Sequence, residues 1–418
     1  MDANVTRRNN EPFEKDTINY QFAIPKIQKS SIICNLFCYT RFRTERLYSM
    51  RTLYVILLSI VGLGFCFAVE AQTKPGGKDD VIRVDTQLVD VPIAVNSPNG
   101  SPVRGLNATN FIIYEDGKRQ ETVDFSATAA PFEVALLLDT SGSARGDLQL
   151  IQRSAQDFVA SLRPGDRVSI IAFNTERTST QAYAVSEVLS PLTDDRKKLN
   201  DAIARVRTSN GTPYYDSLLQ VVEKVFRDAP KEEFRGRRAL VALTDGVDST
   251  SAADFSSARQ ELGQAGIISF FIKVDTREFF ENSLLGDCRT AIRFSDAQIR
   301  RYYRSFGRGA NVEKAVNFCG LGDFERLAIS KKLYEVADTE MAELARLSGG
   351  RVFPVDDLSQ ARSAFRSVAD EIGTKYTLGY YPSNEKKDGT YRKIKVELKS
   401  VPTGTQVRAR EGYTAPAN

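Results

Sequence analysis

From Phe132 onward, short apolar runs alternate with amphipathic stretches of helical period, which restricts the chain to an α/β architecture with a mainly parallel sheet. Val134-Ala-Leu-Leu-Leu138 shows no polar alternation, as expected of a strand buried on both faces. Leu148, Ile151, Ala155, Phe158, Val159 and Leu162 then recur at helical spacing until Pro164-Gly165 stops the helix. Further core strands are expected at Val168–Phe173, Ala239–Thr244, Ile267–Ile272 and Gly349–Phe353. A helix around Leu199, Ile203 and Val206, one opening with Pro213 at its first position, and a closing helix over Leu358–Ile372 complete the pattern. Residues 131–374 should therefore form a doubly wound, mainly parallel sheet with flanking helices.

The flanking segments change period. Within residues 80–130, Val89, Val91, Ile93 and Val95 alternate with other residues before the turn Ser97-Pro-Asn-Gly100. Phe111–Tyr114 then runs into the hairpin signal Asp116-Gly117 and is expected to return through Val123 and Phe125. Within residues 375–418, Ile394, Val396 and Leu398 alternate with Lys393, Lys395, Glu397 and Lys399, giving one buried and one wet face. Neither segment has enough strands to stand alone. The two are expected to combine into one small β-sandwich-like domain from which the α/β domain projects.

Between residues 275 and 333 the alternation breaks into an insertion with one well-punctuated helix. Ser295 and Gln298 have capping-box spacing and Phe294 and Ile299 staple spacing; Tyr302, Tyr303 and Phe306 extend that face, and Gly307 suits the stop. Arg300-Arg-Tyr-Tyr-Arg304 could suggest RNA or an anionic glycan, but one apolar and one solvated basic face account for it. At the other end of the chain, the apolar run Leu53–Val69 follows Met50-Arg51 and ends at Val69-Glu70-Ala71, the pattern of a secretory signal peptide. It is short for a spanning helix, which needs roughly 20 apolar residues; left uncleaved, it would be a membrane anchor. The expectation is a signal peptide over 50–71, a start at Met50, residues 1–49 outside the native protein, and a mature chain beginning near Gln72. Cys288 and Cys319 are then the mature cysteines, and an even pair in an exported protein is expected to be a disulfide.

The chain contains no histidine, which removes imidazole bases, Ser-His-Asp arrangements and Cys/His zinc sites. A formal charge of +4 over 418 residues argues against the basic footprint of a nucleic-acid binder. What remains is a constellation of oxygens. Asp139-Thr-Ser141-Gly-Ser143 follows the first α/β strand, at the strand end where such sheets bind ligands. Thr212 stands at a loop-to-helix junction, and Asp245 follows the strand ending at Thr244. Asp139, Ser141, Ser143, Thr212 and Asp245 form an all-oxygen donor set suited to Mg²⁺ first, with Mn²⁺ or Ca²⁺ as alternatives. Taken singly, Asp and Ser are ordinary loop residues, and Thr212 would serve as a helix cap; the joint order points to a metal site.

These elements resemble the von Willebrand factor A-type domain, whose metal-ion-dependent adhesion site follows the pattern D-x-S-x-S, a distant Thr, and an Asp after a later strand. More narrowly, the β lead-in, Gly211-Thr-Pro-Tyr-Tyr-Asp216, Leu243-Thr-Asp-Gly-Val-Asp248 and the tail from Leu378 to Tyr413 resemble an exported von Willebrand-related family abundant in acidobacteria. The resemblance implies that Ser141, Ser143 and Thr212 ligate the cation directly, while Asp139 and Asp245 act largely through bound waters. It also implies that ligand capture shifts the closing helix, which here leads into the β tail through Gly373-Thr-Lys. A cation held by neutral hydroxyls keeps much of its charge and attracts an Asp or Glu carboxylate of a partner protein. The expected function is a non-enzymatic adhesion or interaction module in the periplasm, in the cell envelope or outside the cell. The alternatives are an envelope scaffold with a purely structural metal and, further off, a metal-dependent hydrolase, for which no G-x-x-x-x-G-K-[ST] or G-x-S-x-G motif is present.

Overall fold

The computed structural model describes residues 88–126, 130–142, 147–304 and 318–417. The readings of residues 1–49 and 50–71, and the positions Ser143, Phe306 and Gly307, lie outside them. The described chain opens with β1 (Val89–Asn96), β2 (Phe111–Glu115), β3 (Lys118–Gln120) and β4 (Thr122–Ser126). The α/β part follows: β5 (Glu133–Leu138), α1 (Leu148–Ser161), β6 (Arg167–Arg177), β7 (Ala182–Thr193), α2 (Arg196–Ala204) and α3 (Tyr214–Gln220). It continues through β8 (Arg238–Thr244), α4 (Phe255–Gln264), β9 (Ile268–Val274), α5 (Arg277–Leu284), α6 (Asp296–Arg304) and α7 (Asp323–Ser348). It closes with β10 (Arg351–Val355) and α8 (Ala361–Ile372), and the tail supplies β11 (Tyr376–Tyr380), β12 (Tyr391–Leu398), β13 (Gln406–Ala409) and β14 (Gly412–Thr414).

The doubly wound sheet is present, in the order β10-β9-β8-β5-β6-β7. All its neighbours are parallel except β6 and β7. Successive side chains of a strand point to opposite faces, so β5 feeds two cores. Val134, Leu136 and Leu138 pack with α1, α2 and α8, where Phe158 and Phe365 meet at 5.2 Å. Ala135 and Leu137 pack with α3, α4 and the later half of α7. At the start of β5, buried Glu133 lies in register with Arg167 and Arg238 on its two neighbours and pairs with both, at 2.7 and 2.9 Å. Strand β7 escaped the sequence reading because it is a half-exposed edge strand containing Pro191, a residue tolerated at edges. The helix expected to open at Pro213 begins at Tyr214, with Pro213 at its cap.

The terminal segments interleave. One sheet runs β13-β1-β11-β4 and the other β14-β12-β2-β3, and both face a common core that includes Val91, Ile93, Ile113, Tyr376, Leu378 and Val396. The hairpin at Asp116-Gly117 returns only as far as Gln120; β4 then leaves β2 and pairs with β11 in the other sheet. Between the sheets, buried Glu115 accepts the Tyr380 hydroxyl at 2.7 Å and the Tyr413 hydroxyl at 3.0 Å, and pairs with buried Arg392 at 3.3 Å.

The chain enters and leaves the α/β part at one place. Buried Arg237 donates to the carbonyls of Ala130 (2.8 Å) and Pro131 (3.2 Å) on the way in and to the Thr377 hydroxyl (3.4 Å) on the way out. Arg163 likewise joins Ala130 and Gly373 through their carbonyls. Burial holds the Arg237 guanidinium down, to about 10, and the Arg163 charge adds to this. Next to them Lys375, fully buried, donates to the Gly349 carbonyl at 2.8 Å and pairs with Glu371 of α8, which also meets Arg408 of β13.

The insertion builds its own core from Leu284, Phe294, Ile299, Phe318, Ile329 and Leu333, with Val247 of the sheet edge among them. Its end at residue 333 falls inside α7, one helix of 26 residues whose first half serves this core and whose second half, from Met341, serves the main sheet. Cys288 and Cys319 are disulfide-bonded. The Ser295–Gln298 capping box is formed, with reciprocal bonds of 3.0 and 3.1 Å. No helix among the described residues is long and apolar enough to cross a membrane.

Candidate metal site at the sheet edge

Asp139, Ser141, Thr212 and Asp245 converge at the carboxyl-terminal edge of the parallel strands, each less than a tenth exposed. Hydrogen bonds between the loops hold them. Ser209 N donates to Thr140 O at 2.7 Å, tying the loop after β5 to the loop before α3, while Thr140 Oγ1 anchors to Phe173 O at 2.8 Å. Ser249 N donates to Thr212 O at 3.0 Å, and Thr212 N donates back to Ser249 Oγ at 2.8 Å. Gly211 keeps this seam close, because a Cβ there would sit 2.7 Å from the Thr250 methyl and 3.1 Å from Ala184 Cβ and would force those neighbours to shift.

Each carboxylate is oriented by its own short turn. Asp139 accepts Ser141 N at 3.0 Å, the Ser141 hydroxyl, and Thr244 Oγ1 at 2.7 Å. Asp245 accepts Val247 N at 2.9 Å and Thr276 Oγ1 at 2.5 Å, and Thr276 in turn meets the Tyr334 hydroxyl at 2.8 Å. The Thr212 hydroxyl does not cap α3. That task falls to Asp248, whose Oδ1 accepts Tyr214 N at 3.0 Å and which is itself paired with Arg301 of the insertion at 3.2 Å. Arg301 therefore leaves the solvated basic face expected of its helix and stacks over Tyr215 at 4.5 Å. Thr244, Asp248, Thr276, Tyr334 and Arg301 join the site only through the fold. Threonine beside an apolar strand end and arginine in a basic run carry no local signal of a partner distant in sequence.

The electrostatics favour a cation. Neither Asp139 nor Asp245 has an ion-pair partner among the described residues, and burial pushes both carboxyls up. Asp245 rises to about 7, by burial first and by the charge of Asp139 second. The buried Tyr214 hydroxyl, close to the same carboxylates, has no hydrogen-bond partner among the described residues. No group of three or more Cys, Asp or Glu side chains among the described residues is arranged to hold a metal, so a cation here depends on the hydroxyls. Two carboxylates and neutral hydroxyls fit a hard divalent ion.

A pH dependence follows. Asp245 keeps its proton in the folded state up to about 7 but would lose it near 3.8 when unfolded, so the metal-free fold should lose stability as pH rises through that window. A cation must displace that proton, so its apparent affinity should fall by up to about tenfold per pH unit below 7. Titration calorimetry with Mg²⁺ at pH 5.5 and pH 8 checks both the affinity and the proton released.

Residues 134–247 match the family model of the von Willebrand factor type A domain; the match does not reach the β lead-in or the tail. No curated protein matches the chain. Among solved structures it is similar to the conserved hypothetical protein BatB from Bacteroides thetaiotaomicron, at 18% identity over 58% of this chain and 98% of that one, with a TM-score of 0.36. It is also similar to a von Willebrand factor type A protein from Catenulispora acidiphila, at 12% identity over 79% and 75% of the two chains, with a TM-score of 0.37. A third is proximal thread matrix protein 1 of the mussel byssus with a zinc-occupied MIDAS motif, at 15% identity over 62% of this chain and 49% of that one, with a TM-score of 0.34. The family match, the strand order and the loops converging after β5 and β8 together identify the segment from Val134 to Val247 as a von Willebrand factor type A domain.

Proposed function

We propose that the chain is an exported protein-interaction module that captures an Asp or Glu side chain of a partner protein through a divalent cation at the edge of its sheet. The observation that carries this is the pair of buried carboxylates, Asp139 and Asp245, without a cationic partner among the described residues and with the Thr212 hydroxyl beside them not used as a helix cap. A cation would supply the missing charge. In the family pattern Ser141, Ser143 and Thr212 hold it directly and the two aspartates hold it through water, so its charge is only partly neutralised by the protein. Mg²⁺ is the first choice, with Mn²⁺ and Ca²⁺ as alternatives. With no histidine in the chain and no nucleophile motif, the reading is binding rather than turnover. Export rests on the apolar run Leu53–Val69 and on the paired cysteines.

The same reading gives α8 a part in ligand response. Its end is bound, through buried Glu371, to buried Lys375 and half-buried Arg408, so a shift of α8 would either drag the β tail along or break that group. The test of the function is capture of partners from envelope extract by the wild-type chain and by Asp139→Ala, each with Mg²⁺ or with chelator. A partner held only by the wild type in Mg²⁺ is the expected outcome. A partner indifferent to chelator and to the substitution would instead fit an envelope scaffold whose cation only stabilises the fold.

A further inference from the structure

At the end of the parallel strands away from the metal edge, a cleft of about 750 Å³ opens between α4, the end of α7 and the tail strands β12 and β14. Its size suits a small organic molecule. Glu411 N donates to Leu347 O at 3.2 Å, and a Cβ on Gly349 would meet Arg410 N at 2.7 Å, so the tail lies directly against the end of α7. Ser269, near the start of β9, lines the cleft, whereas Thr276, the donor to Asp245, follows the end of that strand, roughly 20 Å further along the chain.

One charge in the cleft is left over. Arg259 pairs with Glu343 at 2.7 Å and Arg346 with Glu411, which uses both acids of the lining. Arg410 forms no ion pair among the described residues. It donates only to neutral carbonyls, that of Gly412 at 3.0 Å and those of Asp90 and Gly263 at 3.4 Å each, and a guanidinium has more N–H groups than these bonds use. Burial pulls this guanidinium down, as expected of a charge held without a counter-ion. Neighbouring acids are engaged elsewhere: the Asp90 carboxylate pairs with Arg235 at 3.6 Å, and Asp388, beside Gly389 of the lining, pairs with Arg392 at 3.7 Å. In the adjoining cleft, which Arg410 also lines, Glu385 is outnumbered by Lys386 and Lys387.

A hydroxyl is left over too. Ser269 is 1% exposed and its Oγ has no hydrogen-bond partner among the described residues, while its N–H is spent on Ser348 Oγ at 2.9 Å. Buried polar atoms are seldom left unpaired. Leu344 and Leu347 of α7 and the half-exposed Tyr391 ring add apolar surface to the same cleft.

We propose that this cleft binds a small organic monoanion, a carboxylate carried on an aromatic or aliphatic body. Arg410 grips the carboxylate through its planar fork, the Ser269 hydroxyl adds a polar contact, and Tyr391 and the leucines cover the body. A carboxylate fits because a single unbalanced cation matches a single negative charge, and because the fork of a guanidinium matches two oxygens in one plane. The site is separate from the cation and does not rest on the metal-dependent reading.

The test is ligand-observed NMR and titration calorimetry on the full chain in chelator, which removes any carboxylate binding through a metal. The probes are a panel of aryl and alkyl monocarboxylates, the primary amide of each, and inorganic phosphate. At least one carboxylate should bind the wild type about tenfold or more tighter than its amide and than phosphate, and should lose about tenfold or more in Arg410→Gln. Ser269→Ala removes a hydroxyl that bonds to nothing, so it should melt with the wild type and still bind that carboxylate more weakly. It carries the test if Arg410→Gln does not fold. Equal binding of carboxylates and amides, phosphate bound as tightly as the carboxylates, or affinity unchanged in Ser269→Ala or in folded Arg410→Gln overturns the proposal. So does a panel in which no carboxylate binds in chelator.

Discussion

Millimolar Mg²⁺ should raise the melting temperature of the wild-type chain and leave that of Asp139→Ala unchanged. A ligand that binds only the folded state stabilises it by RT ln(1+[L]/Kd), about 2.7 kcal/mol at a hundredfold excess over Kd. For a domain of this size that corresponds to roughly 5–10 °C. Asp139→Asn separates loss of charge from loss of shape. Its amide oxygen can still accept from Ser141 N or Thr244, while the repulsion that helps lift Asp245 is gone. Without metal at pH 8 this variant should melt no lower than the wild type, and it too should lose the cation response. Scanning calorimetry of the three chains with Mg²⁺, Mn²⁺, Ca²⁺ or chelator is the measurement. A wild type indifferent to all three ions would sink the site.

Glu115→Ala should cost about 3–5 kcal/mol, because it strips the counter-charge from a buried guanidinium. Arg392 is 1% exposed, and Asp388, its other acidic neighbour, is 3.7 Å away. The same change leaves the Tyr380 and Tyr413 hydroxyls without their acceptor between the two sheets. Glu115→Gln keeps an acceptor and should be milder. Because Glu115 and Asp139 share no partner, the two alanine substitutions should add in chemical denaturation. Arg392 also donates to the Asn384 and Lys386 carbonyls, and a loss below about 1 kcal/mol for Glu115→Ala would mean that these and Asp388 are enough to hold its charge.

The α/β layering was legible because burial on both faces leaves β5, β8 and β9 as unbroken apolar runs, and because the helices of the two cores carry the helical period. The positions of the four described candidates, Asp139, Ser141, Thr212 and Asp245, follow directly from that order, since each stands at a strand end or a loop junction in the sequence. Other features were hidden for stated reasons. Strand β7 is an edge with a proline, so its alternation is weak. Helix α7 changes partners midway, from Leu333 and Tyr334 in one core to Met341 and Leu344 in another, and so presents no single stripe. The support for Asp245 comes from Thr276 and Tyr334, 31 and 89 residues on, and no local pattern announces a contact across that distance. Lys375 and Arg237 read as ordinary surface cations until the two chain crossings are seen to share one spot.

That shared crossing has a mechanical meaning. The chain passes from Ala130 into β5 within three residues, and β5 ends at Leu138, next to Asp139. A partner pulling on the cation would load a single strand end to end, from its grip at one edge of the sheet to its strap at the other, without passing through a helix. Strand β5 is bonded along its length to β6 and β8, so the load would shear those ladders all at once instead of peeling them one bond at a time. An assembly strung together through this domain should therefore be stiff under tension. It should give way first where the partner leaves the ion.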